Sequence, residues 1–185
     1  KQPLAPAVKF VLATMLINSI GFGIIIPSFP QLLMSLGHTD ISHATAIGGS
    51  LSLIYALFQF VFGPVVGNLS DRFGRRPVLL LSLGAFALDF VAMAFAPTLA
   101  WLIVVRAIAV IFGAPNGPAQ SVIADIAAPD DRSRLFGYIS AAFGIGFVAG
   151  PALGGLLAEV SFRLPFYAAG ALAVANTVYG IVALT

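Results

Sequence analysis

The chain has 185 residues, 59% of them hydrophobic and 9% charged, with a formal net charge of +2 and no cysteine. A soluble domain carries about 25% charged residues, so this chain cannot cover a water-facing surface; its long unbroken apolar runs also exclude a barrel, whose strands alternate over about ten residues. The small net charge points away from nucleic acid, and the lack of cysteine removes disulfides and thiolate metal sites. With about twenty apolar residues needed per crossing, six spans are predicted, at residues 7–33, 44–66, 77–96, 99–124, 135–158 and 164–184.

The opening residues, Lys1 to Pro6, lack the pattern of a cleavable signal. Lys9 reads as a cytoplasmic anchor for the first span, which carries an in-span amide, Asn18. His38 and His43 fall in the connection that follows and read as a solvated loop rather than a metal site. The second span carries Gln59.

Between spans two and three lies Gly67 to Leu80, reading G-N-L-S-D-R-F-G-R-R-P-V-L-L. Asp71, Arg72, Arg75 and Arg76 place four charges within six residues, which predicts a tight basic loop at one membrane face. Gly67 and Gly74 suit close packing or a sharp turn, and Pro77 suits the first turn of the next helix.

Asp89 and Arg106 are the ionisable residues deep in spans three and four. A lone charge in hydrocarbon costs several kcal/mol, and the two lie at similar depths, roughly 10–12 Å from the span ends at 1.5 Å per residue. They are expected to pair, directly or through water, as a proton or substrate site or as a static bridge between helices. Asn116 and Gln120 add amides to the fourth span, and Asp125 at its end is expected to reach Arg72 or Arg75. Asp130, Asp131, Arg132 and Arg134 read as a solvated turn. The fifth span carries Gly144, Gly146, Gly150, Pro151, Gly154 and Gly155. Three of these glycines, at 146, 150 and 154, share one helix face and would let a neighbouring helix approach closely, while Pro151 removes one backbone hydrogen bond. The sixth span carries Asn176.

Lys1, Lys9, Arg72, Arg75, Arg76, Arg132 and Arg134 fall on one side and Arg163 on the other, which puts both termini in the cytoplasm. A repeat is also visible. Gly63-Pro64-x-x-Gly67-x-Leu69 recurs as Gly150-Pro151-x-x-Gly154-x-Leu156, and Pro27, Pro30 and Pro77 recur as Pro115, Pro118 and Pro165, all 87 or 88 positions later. Each copy holds three spans. Three is odd, so the second copy enters the membrane inverted, an arrangement typical of secondary transporters. The fold class expected is an all-α membrane protein with six transmembrane helices as two inverted three-helix repeats. The same offsets map Asn18 onto Arg106 and Asp89 onto Asn176, which would turn all four toward one central cavity.

These features resemble the major facilitator superfamily, and within it the drug:proton antiporters of the tetracycline-efflux type. Gly67-Asn-Leu-Ser-Asp71-Arg72-Phe-Gly74-Arg75-Arg76-Pro77 resembles that superfamily's loop motif, which implies a charge-relay gate of Asp71, Arg75 and Asp125. Gly146-x-x-x-Gly150-Pro151-x-x-Gly154-Gly155 is similar to the antiporter motif of span five, and Tyr55-Ala-Leu-Phe-Gln59 and Ala124-Asp125-Ile126 resemble the tetracycline exporters. The resemblance implies that Gln59, Asp89, Arg106, Asn116 and Gln120 lie in or near a substrate and proton path. It departs at Asn18, where those exporters carry an acid, and at Val110, where the span-four motif has glycine; the first departure leaves Asp89 as the main proton carrier.

The implied protein is the N-terminal six-helix half of a proton-coupled exporter in a bacterial inner membrane. Its partners would be the lipid bilayer, a C-terminal six-helix half and a small-molecule drug. No cofactor is expected beyond the proton gradient, although a drug could travel as a metal chelate, and no catalytic residues are expected. A carrier of another metabolite or sugar on the same fold, or a membrane assembly domain without transport of its own, would share most of these features.

Overall fold

The computed structural model describes residues 6–112 and 116–183. Among them are eight α-helices and no strand: α1 (Pro6–Ile25), α2 (Phe29–Gly37), α3 (Ile41–Phe73), α4 (Arg75–Ala94), α5 (Leu99–Ile111), α6 (Asn116–Ile126), α7 (Arg132–Val160) and α8 (Leu164–Ala183), with a 3₁₀ turn at Pro129–Asp131. Of these, α1, α3, α4, α7 and α8 are long and apolar enough to cross a membrane, and α5 is a shorter apolar helix.

The structure revises three of the sequence boundaries. The apolar run 7–33 is two helices, because Pro27 has no N–H to continue the α1 ladder and disfavours helical geometry in the residue before it. The chain turns through residues 26–28 and restarts with Pro30 in the first turn of α2. Second, the charged stretch from Gly67 is not a loop. The helix α3 runs 33 residues, through Pro64 and Gly67 to Phe73, and α4 begins at Arg75. The break is Gly74 alone, at φ +95°, a backbone conformation open to glycine. A Cβ at Gly67 would meet nothing within 4 Å, so that glycine serves no packing inside this bundle. Third, the run 99–124 is described as α5 and α6, with residues 113–115 outside the described part.

The caps are local and legible. Asp40 accepts a hydrogen bond from the His43 backbone N–H at 3.2 Å and starts α3. Thr98 does the same for α5 through the Trp101 N–H at 3.2 Å. His38 takes a left-handed conformation at φ 48° and its N–H closes α2 onto the Met34 carbonyl.

The helix α1 is the centre of the bundle. It packs against α7 and α8, and α4 packs against α8. In its most apolar window 61% of α1 is buried, against 11% for α3 and 17% for α7. Two apolar clusters fill the interior. One joins Ile24, Leu33, Phe90, Met93, Leu102 and Phe166; the other joins Phe10, Met15, Leu79, Ile123, Leu135 and Ile139. The wide apolar faces left open on α3 and α7, including Phe60, Val61, Val148 and Leu156, suit a lipid or helix environment rather than water.

Candidate functional site

Asp89 on α4 and Arg106 on α5 meet in the interior, with Arg106 Nη2 3.3 Å from Asp89 Oδ2. The side chains are 4% and 15% exposed. A guanidinium and a carboxylate drawn from water need each other there, since breaking such a pair leaves a buried charge uncompensated. The other Asp89 oxygen, Oδ1, is buried without a hydrogen-bond partner. Arg106 is further held by Nη1, which donates to Met93 Sδ at 3.5 Å. Its guanidinium carbon lies 5.4 Å from the ring centre of Phe29 and 5.7 Å from that of Tyr55, within cation–π reach of both.

A second buried contact joins α1 to α8: Asn176 Nδ2 donates to Asn18 Oδ1 at 2.9 Å. The repeat offsets carry Asn18 onto Arg106 and Asn176 back onto Asp89. Each pair therefore joins one residue of the first copy to one of the second, and exchanging the copies turns the amide pair into the ion pair. Three polar atoms around the amide pair, Thr14 Oγ1, Asn18 Nδ2 and Asn176 Oδ1, are buried and have no partner. Gln59 and Gln120 do not join either pair. Gln59 and Gln120 are exposed on α3 and α6, and the Asn116 side chain lies outside the described part.

At the end of the bundle where α3 meets α4, Arg75 binds two acids. Its Nε donates to Asp125 Oδ2 at 2.7 Å, and its Nη1 is 2.6 Å from Asp71 Oδ1. Asp71 is in the last turn of α3 and Arg75 opens α4, so their contact bridges the break at Gly74, and Ser70 accepts from Nη1 at 3.4 Å. Arg72 instead lies over the Phe73 ring at 5.5 Å, so of the two expected partners for Asp125 the chain uses Arg75. Arg76 is exposed in the first turn of α4. In the α6–α7 connection Arg134 pairs with Asp131 at 3.1 Å, and Arg132 donates to the Ala124 carbonyl at 3.2 Å.

The glycine face of α7 lies directly on α1. A Cβ at Gly150 would sit 2.6 Å from Gly23 Cα, one at Gly146 would strike Ser19 Oγ, and one at Gly154 would strike the Ile24 carbonyl. Gly144 and Gly155 would meet nothing within 4 Å, so they take no part in this contact. The helix is continuous through Pro151.

A cavity of about 470 Å³ opens between α1, α2 and α3, with Phe22, Ile26, Phe29, Leu33 and Tyr55 among its walls and Arg106 at one end. Sequence reasoning did not find it, because its walls come from three helices whose kink at Pro27 was not foreseen. It also missed Arg163, which donates to the Ala94 and Ala96 carbonyls at 3.2 and 3.3 Å and so closes the end of α4; an arginine just before a helix gives no sign that its target lies about seventy residues earlier.

The profile of the Major Facilitator Superfamily matches residues 11–185. The chain belongs to that superfamily. It is 46% identical over 174 residues to the class C tetracycline resistance protein of Escherichia coli, covering 94% of this chain and 43% of the relative. It is 42% identical over 165 residues to the class B protein of Escherichia coli, covering 89% and 40%. The chain thus spans less than half the length of these superfamily relatives. Its fold is similar to that in the crystal structure of the human organic anion transporter MFSD10 (TETRAN), with TM-score 0.83 and 24% identity over 100% of this chain and 48% of that one. One half of a superfamily transporter is the unit that this bundle matches.

Proposed function

We propose that this chain is the N-terminal half of a proton-coupled drug exporter that works by alternating access in a bacterial inner membrane. The observation that carries the reading is the Asp89–Arg106 pair, nearly sealed from the surface and with one carboxylate oxygen unpartnered. Buried charge is a poor source of stability, and ionisable groups inside membrane helices commonly serve a pathway. The likeness to tetracycline resistance proteins supports a drug, and a tetracycline in particular, as the cargo.

In this reading Asp89 takes up and releases the proton. When it is ionised, the guanidinium of Arg106 is held against it; when it is neutral, the attraction falls and Arg106 is free to turn toward cargo. A proton or drug shifts the two access states only to the extent that it binds them unequally. The Asp71–Arg75–Asp125 cluster then holds the cytoplasmic end shut in one state and opens in the other. The run of Lys9, Arg72, Arg75, Arg76, Arg132 and Arg134 at that end supports placing it, with both termini, in the cytoplasm. The second six-helix half and the surrounding lipid complete the path.

The test is proton-driven tetracycline uptake into inverted vesicles containing the full-length polypeptide. Asp89→Asn keeps the size of the side chain and an oxygen that can accept from Arg106, but removes the counter-charge of the guanidinium; in variant protein that inserts and stays folded, uptake should fall to the level of empty vesicles. Uptake at the wild-type rate from a well-inserted variant would remove Asp89 from the mechanism.

A further inference from the structure

The connection between α7 and α8 repeats the charged junction at Gly74 with half of its charge removed. The 88-residue offset that carries Pro77 onto Pro165 also carries Asp71 onto Glu159 and Arg75 onto Arg163. Arg72 and Arg76 map onto Val160 and Leu164, so the second copy keeps one acid, one arginine and the proline. The two junctions lie at opposite ends of the bundle, because α4 starts at Arg75 and Arg163 reaches the carbonyls at its other end.

Arg75 turns its donors to two acids, Asp71 across the break in the chain and Asp125 on α6. Arg163 is wired differently. Its Nη1 and Nη2 donate to the Ala94 and Ala96 carbonyls, at a helix end that leaves carbonyls without partners of their own and whose dipole favours a cation. The Phe95 and Tyr167 rings meet edge-on beside it, 5.3 Å between centres, and add a second tie between α4 and α8. Glu159 stands exposed in the last turn of α7, four residues before Arg163, with the extended Ser161 between them. The Asp71–Arg75 contact shows that this spacing is bridged across a break of the same kind. Arg163 thus has two sets of acceptors, the carbonyls of α4 and a carboxylate on its own connection. An exposed ion pair is worth little and a hydrogen bond to a carbonyl is of similar net size, so a small change at this end is enough to move the side chain from one to the other.

We propose that Arg163 is a two-position latch at the end of the bundle opposite Arg75. On the Ala94 and Ala96 carbonyls it ties the α7–α8 connection to α4; on Glu159 it lets that end open. The latch deepens the exporter reading and rests on its alternating access, with the two junctions closing in opposite states. Arg163 is in this a positioning residue.

The test follows maleimide labelling of single cysteines in the full-length polypeptide, held in lipid nanodiscs without drug. One reporter replaces Ala96 and the other Ser70, which are 0% and 2% exposed and mark the two ends. Arg163→Gln removes the charge and the fork, so Ala96→Cys should react about threefold faster or more and Ser70→Cys about threefold slower, an effect the size of one modest hydrogen bond. Glu159→Gln removes only the second acceptor, from an exposed position. It should leave the melting temperature unchanged and move both rates the other way by about twofold. Arg163→Lys keeps the charge without the fork and should restore part of the wild-type pattern. An arginine that merely caps α4 predicts a faster Ala96→Cys alone, an unchanged Ser70→Cys and a silent Glu159→Gln. That pattern, or unchanged rates in folded Arg163→Gln, would overturn the latch. Should Arg163→Gln not fold, Glu159→Gln decides by itself: opposite shifts at the two reporters support the latch and unchanged rates overturn it. The rates are read without cargo or a proton gradient. A fully active Asp89→Asn would therefore remove the proton carrier from the exporter reading and leave the latch standing, while a silent Glu159→Gln beside an inactive Asp89→Asn would sink the latch alone.

Discussion

The substitution Gly150→Ala tests whether the α1–α7 contact depends on bare backbone. The added Cβ would lie 2.6 Å from Gly23 Cα and 2.8 Å from the Ile20 carbonyl oxygen. Carbon atoms rest at about 3.5–4.0 Å, so the helices must part by about an ångström at that point. Overpacking of this kind costs about 1–3 kcal/mol, and alanine returns about 0.5–1 kcal/mol through its better helix propensity. The net loss is about 0–2.5 kcal/mol, and the gap from a substitution that gains propensity without a clash is the full overpacking cost of about 1–3 kcal/mol. Gly144→Ala is the matched control on the same helix, because its Cβ would meet nothing within 4 Å; it should be neutral or slightly stabilising. Both variants are compared with the full-length polypeptide by thermal unfolding in one detergent. A Gly150→Ala protein as stable as Gly144→Ala would refute the steric argument.

Three further outcomes follow from the same geometry. Asn176→Leu strands Asn18 Oδ1 in the interior and should cost about 1–3 kcal/mol, while the double change with Asn18→Leu should recover part of that loss; additive losses in a double-mutant cycle would show that the amides do not depend on each other. Asp125→Asn weakens one arm of an exposed cluster and should cost under about 1 kcal/mol of stability, yet it should raise the labelling rate of a cysteine placed at Ser70, and an unchanged rate would argue against a latch. Hydrogen bonds from the His43 side chain and backbone hold the Asp40 carboxyl below its ordinary value of 3.8. Its contribution to the start of α3 is therefore fully present above that value and lost only as pH falls through the lower folded one; amide exchange at His43 that quickens already at pH 5 would contradict the cap.

Much of the site was legible because of what lipid forbids. Asp89 and Arg106 had to be paired once both were placed inside spans, and their depths were enough to match them. The proline spacing related Asn18 to Arg106 and Asp89 to Asn176 and turned all four inward, but gave no sign that the two amides bond to each other. The glycines at 146, 150 and 154 announced a close helix, though not that the partner would be α1. The failures are equally physical. Gly67 and a dense run of charges suggested a loop, but charged side chains at a span end are compatible with a helix, and the chain needs only Gly74 to turn from α3 into α4. Pro27 sits among isoleucines, so hydropathy saw one span where the backbone makes two. The cavity depended on that bend and had no signature of its own.

The passage from α3 to α4 is a single residue, Gly74. One peptide step covers 3.8 Å, which gives this tether no slack. If α3 rolls or tilts as access changes, the end of α4 at Arg75 cannot separate from it. The movement has to be absorbed by the two dihedrals of one glycine or passed on whole, so α4 would carry its acid, and the arginine it faces, along with any swing of α3.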